Sequence, residues 1–479
     1  MTDSNQQSAL SKEQIDSVVA LYSNGQYQEA IDQIKALNEV YPNVPFLFNL
    51  IGACYKAIGQ LKGAAKMFET AVSIKPEYAE AYKNLGITLR DLGQMDEALK
   101  SLNKAISAEP NNVDAHYNLA ITLKDLNQSN SAIQSYKKVI EIKPDFVQAH
   151  NNLGNLYKDL GQTDKALKSY RKAIEIKPNF AHAHNNLGNA LMSIGRFKES
   201  LKTFEIAISI DSNNVFAHNN LGNVLNILGQ VKDGVKLIER AIEIEPDFAE
   251  GYQCLGNIYR KLKQRDKALI CYERAYTIKP EMDLLFGSLI NIKMHLCKWV
   301  GLDVQLEGLI TKIKNNENVV GSFNFLGLID NPVLQRKVTK IRMNSAHPKS
   351  MALPLIKAYS KHPKIRIGYF SADFKIHPVA TLTAGLYEAH DREHFEVHAF
   401  SYGPDTQDEM NLRIKAGVDH FHNVESMSHK DIALHARSFE IDIAIDLTGL
   451  TAKSRTDVFA MSAAPIQLSY IGYLGTMAA

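Results

Sequence analysis

Residues 79–112 read AEAYKNLGITLRDLGQMDEALKSLNKAISAEPNN, and the pattern of this 34-residue stretch returns through most of the chain. Two glycine series, which include Gly86 and Gly93, keep the same spacing. Prolines mark it most clearly, because their separations are 34 residues or, around Ser212, twice that: Pro42, Pro76, Pro110, Pro144, Pro178, Pro246 and Pro280. A fixed period of this length indicates a stack of similar structural units.

Each recurring position of the period has a physical task in a helix-turn-helix unit. Gly86 allows two helices to approach closely, Gly93 favours a left-handed cap after the first helix, and Pro110 stops the second helix. Apolar residues at three- and four-residue spacing supply the packed faces of both helices: Leu85, Leu89, Leu92, Leu99, Leu102 and Ile106. The pattern resembles the tetratricopeptide repeat, and we count eight units over residues 11–282.

One position of the first helix is asparagine in five units, which predicts a ladder of amides along a concave groove: Asn84, Asn118, Asn152, Asn186 and Asn220. An amide both donates and accepts hydrogen bonds, so it can hold a peptide backbone whatever the peptide's side chains. The same amides can instead bridge neighbouring repeats, and the residues alone leave both interpretations open. Histidines near the ladder are interpreted as solvated helix residues without chemistry: His116, His150, His182, His184 and His218.

After Pro363 the pattern changes from helical to strand-like. Apolar runs such as KIRIGYFS (364–371) and IDIAIDLTGL (441–450) alternate with helical stretches such as HKDIALHARSFE (429–440), which indicates a parallel, doubly wound sheet. FEVHAFSYG and IQLSYIGYLGT are two further candidate strands. The predicted organisation is a polar tail at 1–10, the repeats at 11–282, a helical connector at 283–362 and an α/β region at 363–479.

The loops that follow these strands carry the candidate chemistry, because ligands of such sheets bind beyond the carboxyl ends of the strands. The first loop places Asp373 and His377 four residues apart and continues with Pro378. Later loops carry Asp446-Leu447-Thr448-Gly449 and Gly472-Tyr473-Leu474-Gly475-Thr476. A histidine before proline is also typical of a structural hydrogen bond, and Gly-x-x-Gly is also typical of a tight turn.

Taken together, the motifs resemble the protein O-GlcNAc transferases, in which tetratricopeptide repeats precede an inverting glycosyltransferase of two Rossmann-like lobes. The resemblance is carried by the asparagine-bearing repeats and by four strings: HLCKW (295–299), FNFLGLIDNP (323–332), IRIGYFSADFKIHP (365–378) and APIQLSYIGYLGT (464–476). It implies an α-solenoid, here a tetratricopeptide-repeat superhelix, followed by an incomplete α/β Rossmann-like lobe of a two-lobed glycosyltransferase.

The resemblance also implies roles for single residues. His377 and Asp373 are the expected catalytic pair, with His377 either accepting the acceptor's proton or orienting the reacting groups while Asp373 relays it. Pro378 and Ile471 are expected to contact the sugar-nucleotide donor. The ladder asparagines are expected to bind client peptides, and no residue is expected to bind a metal.

The expected activity is transfer of N-acetylglucosamine from UDP-GlcNAc, a co-substrate, to serine or threonine of client proteins, without a cofactor. The chain ends within the first catalytic lobe, so we expect it to be inactive alone. Two alternatives stay open. One is a non-catalytic repeat scaffold that binds proteins, and the other is a protein O-fucosyltransferase that uses GDP-fucose.

Composition excludes several other classes of protein. Charged residues are balanced, with 54 Lys+Arg against 52 Asp+Glu, so no nucleic-acid partner is expected. The polar start lacks a secretory signal, and no apolar run is long enough to span a membrane. The four cysteines lack CxxC spacing, which indicates buried thiols in a cytoplasmic protein and argues against structural zinc. A homodimer through the repeats is left open.

Overall fold

The computed structural model describes residues 10–346, 353–356, 359, 362–451 and 454–471. Packing divides the chain into two units. One comprises the residues up to 159 together with 164–179, and the other comprises 160–163 and the residues from 180 onward. Among the described helices, none has the length and apolar character that a membrane-spanning segment needs.

The first unit consists of helix pairs in which each second helix contains an apolar stripe that packs inward. Small residues in its first turn, such as Ala64, Ala98 and Ala132, are fully buried. Its helices are α1 (Lys12–Ser23), α2 (Tyr27–Val40), α3 (Pro45–Ala57), α4 (Leu61–Ile74), α5 (Ala79–Asp91), α6 (Met95–Ala108), α7 (Val113–Asp125), α8 (Ser129–Ile142), α9 (Val147–Asp159) and α10 (Thr163–Ile176).

The second unit begins with three more pairs of the same kind and continues with four helices that lack the repeat's glycine and proline marks. The paired helices are α11 (Ala181–Ser193), α12 (Phe197–Ile210), α13 (Val215–Ile227), α14 (Val231–Ile244), α15 (Ala249–Lys261) and α16 (Arg265–Ile278). The others are α17 (Leu285–His295), α18 (Leu302–Lys314), α19 (Ser322–Leu326) and α20 (Pro332–Ala346).

The predicted roles of the repeat glycines are confirmed. A Cβ on Gly86 would lie 2.7 Å from the Leu102 side chain, so α5 and α6 approach closely only because the position is glycine. Gly93 adopts a φ of +79°, the left-handed cap conformation. Asn127 and Lys263, which depart from the repeat, keep that conformation with φ of 58° and 59°. The backbone geometry therefore persists where the glycine is lost.

The interpretation of the nearby histidines as solvated is wrong for three of them: His150, His184 and His218 are buried. The Nε2 of His150 lies 2.9 Å from the carbonyl oxygen of Pro144, six residues earlier. A carbonyl left without a partner at the end of the preceding helix needs a donor, and the imidazole N–H supplies it. Within this set, buried histidines thus join successive repeats.

The α/β region of the second unit contains a parallel sheet of five strands in the order β3-β2-β1-β4-β5. The strands are β1 (Ile365–Ser371), β2 (Phe395–Ser401), β3 (His420–Asn423), β4 (Ile443–Asp446) and β5 (Ile466–Ser469). The helices are α21 (Pro378–Glu388), α22 (Glu409–Gly417), α23 (His429–Ser438) and α24 (Thr456–Ala460). The predicted fold class, a repeat solenoid followed by part of a Rossmann-like lobe, is confirmed.

Helices cover both faces of this sheet, as alternation along β1 shows. Ile367 and Tyr369 pack in an apolar cluster with residues of α21 and α22. Phe370 faces the other way, in a cluster with residues of α23 and α24. Because successive side chains of a strand point to opposite faces, one strand supplies both cores.

One prediction about the cysteines needs correction, and one helix and one strand were not predicted. Cys54 and Cys271 are buried thiols as expected, but Cys297 is exposed because it follows the end of α17. Neither α21 nor β3 was expected from the sequence. β3 was missed because HFHN is a short, polar edge strand rather than an apolar run.

Candidate active site

The strand order places a topological switch point between β1 and β4, where connections leave the sheet in opposite directions. Phe370 of β1 is paired in register with Asp446 of β4, so the loops after these two strands begin side by side. A crevice outside the carboxyl ends of strands at such a point is where open α/β sheets bind ligands. Two of the three loops singled out from the sequence therefore begin at this crevice.

Asp373 and His377 lie in the loop between β1 and α21. The Asp373 Oδ2 atom lies 3.8 Å from His377 Nδ1, with the carboxylate side chain 17% exposed and the imidazole 39% exposed. His377 is the N-cap of α21, and its Nδ1 accepts a hydrogen bond from the Val379 N–H at 3.3 Å. The predicted pair is thus close together and accessible to solvent.

Neighbouring elements hold this loop in place. The buried Asn411 Nδ2 donates to the Phe374 carbonyl at 2.7 Å, and the Phe374 ring is buried in the apolar core. The Ile376 N–H donates to Asp408 Oδ2 at 3.1 Å. A hydrogen bond from the Thr406 hydroxyl is the main reason that the pKa of Asp408 is lowered, so this carboxylate is a stable acceptor. Such support fixes the position of Asp373 and His377.

The loop after β4 is organised by a buried carboxylate. Asp446 Oδ1 accepts hydrogen bonds from the N–H groups of Thr448 and Gly449, at 2.9 and 3.1 Å. Burial raises the pKa of Asp446, while the two backbone donors act in the opposite direction. These bonds shape the turn, so Asp446 has a structural role at the floor of the crevice.

Tyr402 and Arg455 also belong to this floor, and the sequence reasoning missed both. The Tyr402 hydroxyl donates to Thr448 Oγ1 at 2.7 Å, which joins the end of β2 to the β4 loop. The Arg455 guanidinium lies over the Tyr402 ring, 5.6 Å from its centroid, and donates to the carbonyls of Glu425 and Met427. Tyr402 directly follows β2 and Arg455 directly precedes α24, and these positions were the available signal.

The two residues expected to contact the sugar-nucleotide donor follow different strands of the sheet. Pro378 is the first residue of α21, next to His377. Ile471 follows β5 with a φ of 59° and packs against the core cluster that contains Leu447. The predicted loop Gly472–Thr476 lies outside the described residues.

The ladder asparagines are half-buried on the first helices of their pairs. Three donate through Nδ2 to a residue 35 positions earlier, which lies in the preceding repeat: Asn84 to Asn49, Asn152 to Tyr117 and Asn220 to Asn185. These three bonds support the interpretation that ladder asparagines bridge neighbouring repeats. An amide has two N–H bonds and two oxygen lone pairs, so one bridge leaves capacity for a ligand.

A second group of polar side chains lies in the first four residues of β2 and at the start of β3. Glu396, His398 and His420 each offer one ligand atom, and these atoms lie within 4.8 Å of one another. Burial and the neighbouring histidines hold the pKa of His398 at about 4 and that of His422 at about 3. The sequence predicted no metal site, because the spacing along the chain does not reveal the pairing of β2 with β3.

Comparison with family models separates the chain into two parts. The model described as "Glycosyl transferase family 41" matches residues 333–479. Models described as "TPR repeat" or "Tetratricopeptide repeat" match successive stretches between residues 56 and 282. The boundary between these matches lies in the helical segment that follows α16.

Curated relatives match over shorter stretches. A probable UDP-N-acetylglucosamine–peptide N-acetylglucosaminyltransferase SEC of Arabidopsis thaliana is 37% identical over 124 residues, which cover 26% of this chain and 13% of that protein. The UDP-N-acetylglucosamine–peptide N-acetylglucosaminyltransferase of Caenorhabditis elegans is 34% identical over 122 residues, covering 24% and 10%. The chain thus spans about a tenth of the length of these curated relatives.

Solved structures show weaker likeness. A mutant of the Thermobaculum terrenum O-GlcNAc transferase has a TM-score of 0.30 and 20% identity, covering 69% of this chain and 51% of that one. A tetratricopeptide repeat protein from Parabacteroides merdae has a TM-score of 0.46 and 19% identity, covering 52% and 98%. On the family models, the chain joins tetratricopeptide repeats to a region of glycosyl transferase family 41.

Proposed function

We propose that this chain is a portion of a protein O-GlcNAc transferase, which transfers N-acetylglucosamine from UDP-GlcNAc to serine or threonine of client proteins. The observation that carries the proposal is the pair Asp373 and His377, 3.8 Å apart at the switch point, inside the stretch matched by the family 41 model. The names of the curated relatives support the same donor and acceptor class.

The hydrogen bonding of His377 favours one of its two predicted roles. Its Nδ1 accepts from the Val379 N–H, so in a neutral ring the proton is on Nε2. A protonated Nε2 donates a hydrogen bond and does not accept a proton from an attacking hydroxyl. We therefore assign His377 to orienting the reacting groups.

Asp373 then accepts the proton. The acceptor hydroxyl oxygen bonds to the anomeric carbon, the bond from that carbon to the UDP oxygen breaks, and UDP leaves with the bonding electrons. The hydroxyl proton passes to the Asp373 carboxylate, which is the acidic group nearest to His377 in this loop. Pro378 and Ile471 would contact the donor, and the transfer as written uses UDP-GlcNAc without a cofactor.

The test is incorporation of labelled N-acetylglucosamine from UDP-GlcNAc into protein acceptors by the native protein. Asp373→Asn and His377→Ala should each lower the rate by about 10²–10⁴-fold. His394→Ala is the matched control, since this exposed histidine pairs with Asp391 beside the amino-terminal end of β2. The control variant should transfer the sugar at the wild-type rate.

Other outcomes identify the alternatives. Incorporation of fucose from GDP-fucose, with none from UDP-GlcNAc, would make the protein an O-fucosyltransferase. If clients bind but neither sugar is transferred, the protein is a repeat scaffold. Transfer that survives both Asp373→Asn and His377→Ala would refute the assignment of the site.

We further propose that the ladder asparagines hold client proteins by their backbones. Asn220→Ala should raise KM for protein acceptors and leave kcat unchanged, because the amide contacts the client away from the reacting atoms. Asn213→Ala, an exposed asparagine in the turn before α13, is the control. An unchanged KM in the Asn220 variant would restrict the ladder to bridging repeats.

The cellular location and the oligomeric state of the protein are two further proposals. We propose a cytoplasmic location, which fits four cysteines without a disulfide. A homodimer through the repeats is tested by sedimentation of the native protein.

A further inference from the structure

We propose that Glu396, His398 and His420 form a binding site for one Zn²⁺ ion on the α/β sheet. Glu396 and His398 are the second and fourth residues of β2 and His420 is the first of β3, whereas Asp373 and His377 follow the carboxyl end of β1. The site is therefore separate from the proposed transfer reaction.

The register of the sheet brings the three side chains to one face. His398 of β2 is paired with His420 of β3, so these two residues are nearest neighbours across the strands. Glu396 precedes His398 by two residues, and residues two apart on a strand share a face. The backbone thus presets the three groups before any ion binds.

The distances suit a small tetrahedral ion. Glu396 Oε1 lies 3.3 Å from His398 Nε2 and 3.0 Å from His420 Nε2. Two ligand atoms at ordinary Zn–N and Zn–O bond lengths in a tetrahedron lie about 3.3 Å apart. Only small shifts would centre an ion among the three atoms.

A second observation points to a ligand at the same place. The His398 side chain is 1% exposed, and among the described residues the nearest polar contact of its buried Nε2 is Glu396 Oε1 at 3.3 Å, which does not have the geometry of a hydrogen bond. Its other nitrogen, Nδ1, is 3.1 Å from His422 Nε2. In the proposed site Nδ1 carries the proton and donates it in a hydrogen bond to His422 Nε2. The unprotonated Nε2 then binds the ion through its lone pair.

The surroundings orient the ligands in the manner of a metal site. Arg366 Nε donates to Glu396 Oε2 at 3.0 Å, which leaves Oε1 directed towards the histidines. The Arg366 charge is shared with Glu440, whose Oε2 lies 3.5 Å from Nη1. His422 Nδ1 is 3.3 Å from His435 Nε2, so a chain of imidazoles supports His398. Hydrogen bonds of this kind commonly fix the tautomer and orientation of metal ligands.

The donor set and its exposure define the kind of ion. Two imidazoles and one carboxylate suit Zn²⁺, which takes such ligands with water in the fourth position. The His420 side chain is 47% exposed, so an ion and a water molecule can enter from solvent. The competing explanation is a metal-free cluster in which Glu396 pairs with both His420 and His398, and the metal titration below distinguishes it from a Zn²⁺ site.

The test uses the full chain, freed of metal with a chelator and titrated with Zn²⁺ by calorimetry. We expect one equivalent to bind and to raise the unfolding temperature. Co²⁺ should give the intense visible absorption of a four-coordinate site. Glu396→Gln and His420→Ala should each weaken Zn²⁺ binding by about tenfold or more. His420 is half-exposed, so its variant should fold, which circular dichroism would verify.

His394→Ala is the matched control, because it removes an exposed histidine–carboxylate pair from the same region. It should bind Zn²⁺ as the wild-type chain does. The proposal is overturned if the metal-free chain does not bind Zn²⁺, or if His420→Ala and Glu396→Gln bind it unchanged. A weak Co²⁺ spectrum that is the same in wild type and His420→Ala would also overturn it.

Discussion

The repeats and the α/β sheet reach a packed core by different routes. In the repeats, contacts recur at a fixed distance along the chain, as in the bond from Asn84 to Asn49, 35 residues apart. In the sheet, Arg366 donates to Asp442 across 76 residues and Tyr402 to Thr448 across 46. A substitution in a repeat therefore has equivalents elsewhere in the chain, whereas a substitution in the sheet has none.

The largest expected difference between the repeats and the α/β region is in the response of one glycine from each to substitution by alanine. A Cβ on Gly222 would lie 2.6 Å from the carbonyl oxygen of Gly234, a backbone atom that cannot rotate away. Gly222→Ala should lower the free energy of unfolding by about 1–3 kcal/mol, the usual effect of overpacking. Urea unfolding followed by circular dichroism measures the change.

Gly385→Ala is the matched control, since Gly385 lies inside α21 with no atom within 4 Å of a Cβ placed there. The same change should there raise the free energy of unfolding by about 0.5–1 kcal/mol, because alanine is the better helix former. Destabilisation of equal size at both positions would contradict a role for close helix crossing at Gly222.

A smaller effect is expected where the sheet relies on one long-range bond. Tyr402→Phe removes the donor to Thr448 Oγ1, and both residues are buried. The loss of that bond should lower the free energy of unfolding by about 1–2 kcal/mol. Tyr470→Phe, at a half-exposed ring, should leave stability unchanged within the error of the urea titration. Equal midpoints for the two variants would show that the bond does not hold the β4 loop.

The smallest effect is expected in the pH dependence of stability. Burial is the main cause that lowers the pKa of His390, whose Nε2 lies 2.8 Å from the Tyr369 hydroxyl oxygen. The ordinary pKa of histidine is about 6.5. Below this pH the His390 imidazole binds a proton more readily in the unfolded chain than in the folded chain. This group therefore contributes a loss of stability as pH falls from about 6.5 towards its folded pKa.

His390→Gln should reduce that loss, so the difference between urea midpoints at pH 7.5 and pH 5.5 should be smaller than in the wild type. His182→Gln, at an exposed histidine of α11, should leave the difference unchanged. If both variants follow the wild-type pH dependence, His390 is not buried in the neutral form.

The fold was predictable where the pattern was local. KIRIGYFS predicted β1 because β-branched and aromatic residues are concentrated in it, and the structure has β1 at Ile365–Ser371. The helix α21 was missed because His377-Pro378 was interpreted as loop, although proline is favoured at the first position of a helix. The closeness of Asp373 and His377 followed from their spacing, but the support from Asp408 and Asn411 did not.

The amino-acid sequence by itself determined the repeat, its close helix crossings and the apolar strands β1, β2, β4 and β5, because these depend on residues near one another in the chain. Only the tertiary structure decided which strands pair and in what register. That pairing placed Tyr402 beneath the crevice and His398 beside His420. Parallel strands are joined by connections of many residues, so their register depends on packing against both faces of the sheet and is not written in any short stretch of sequence.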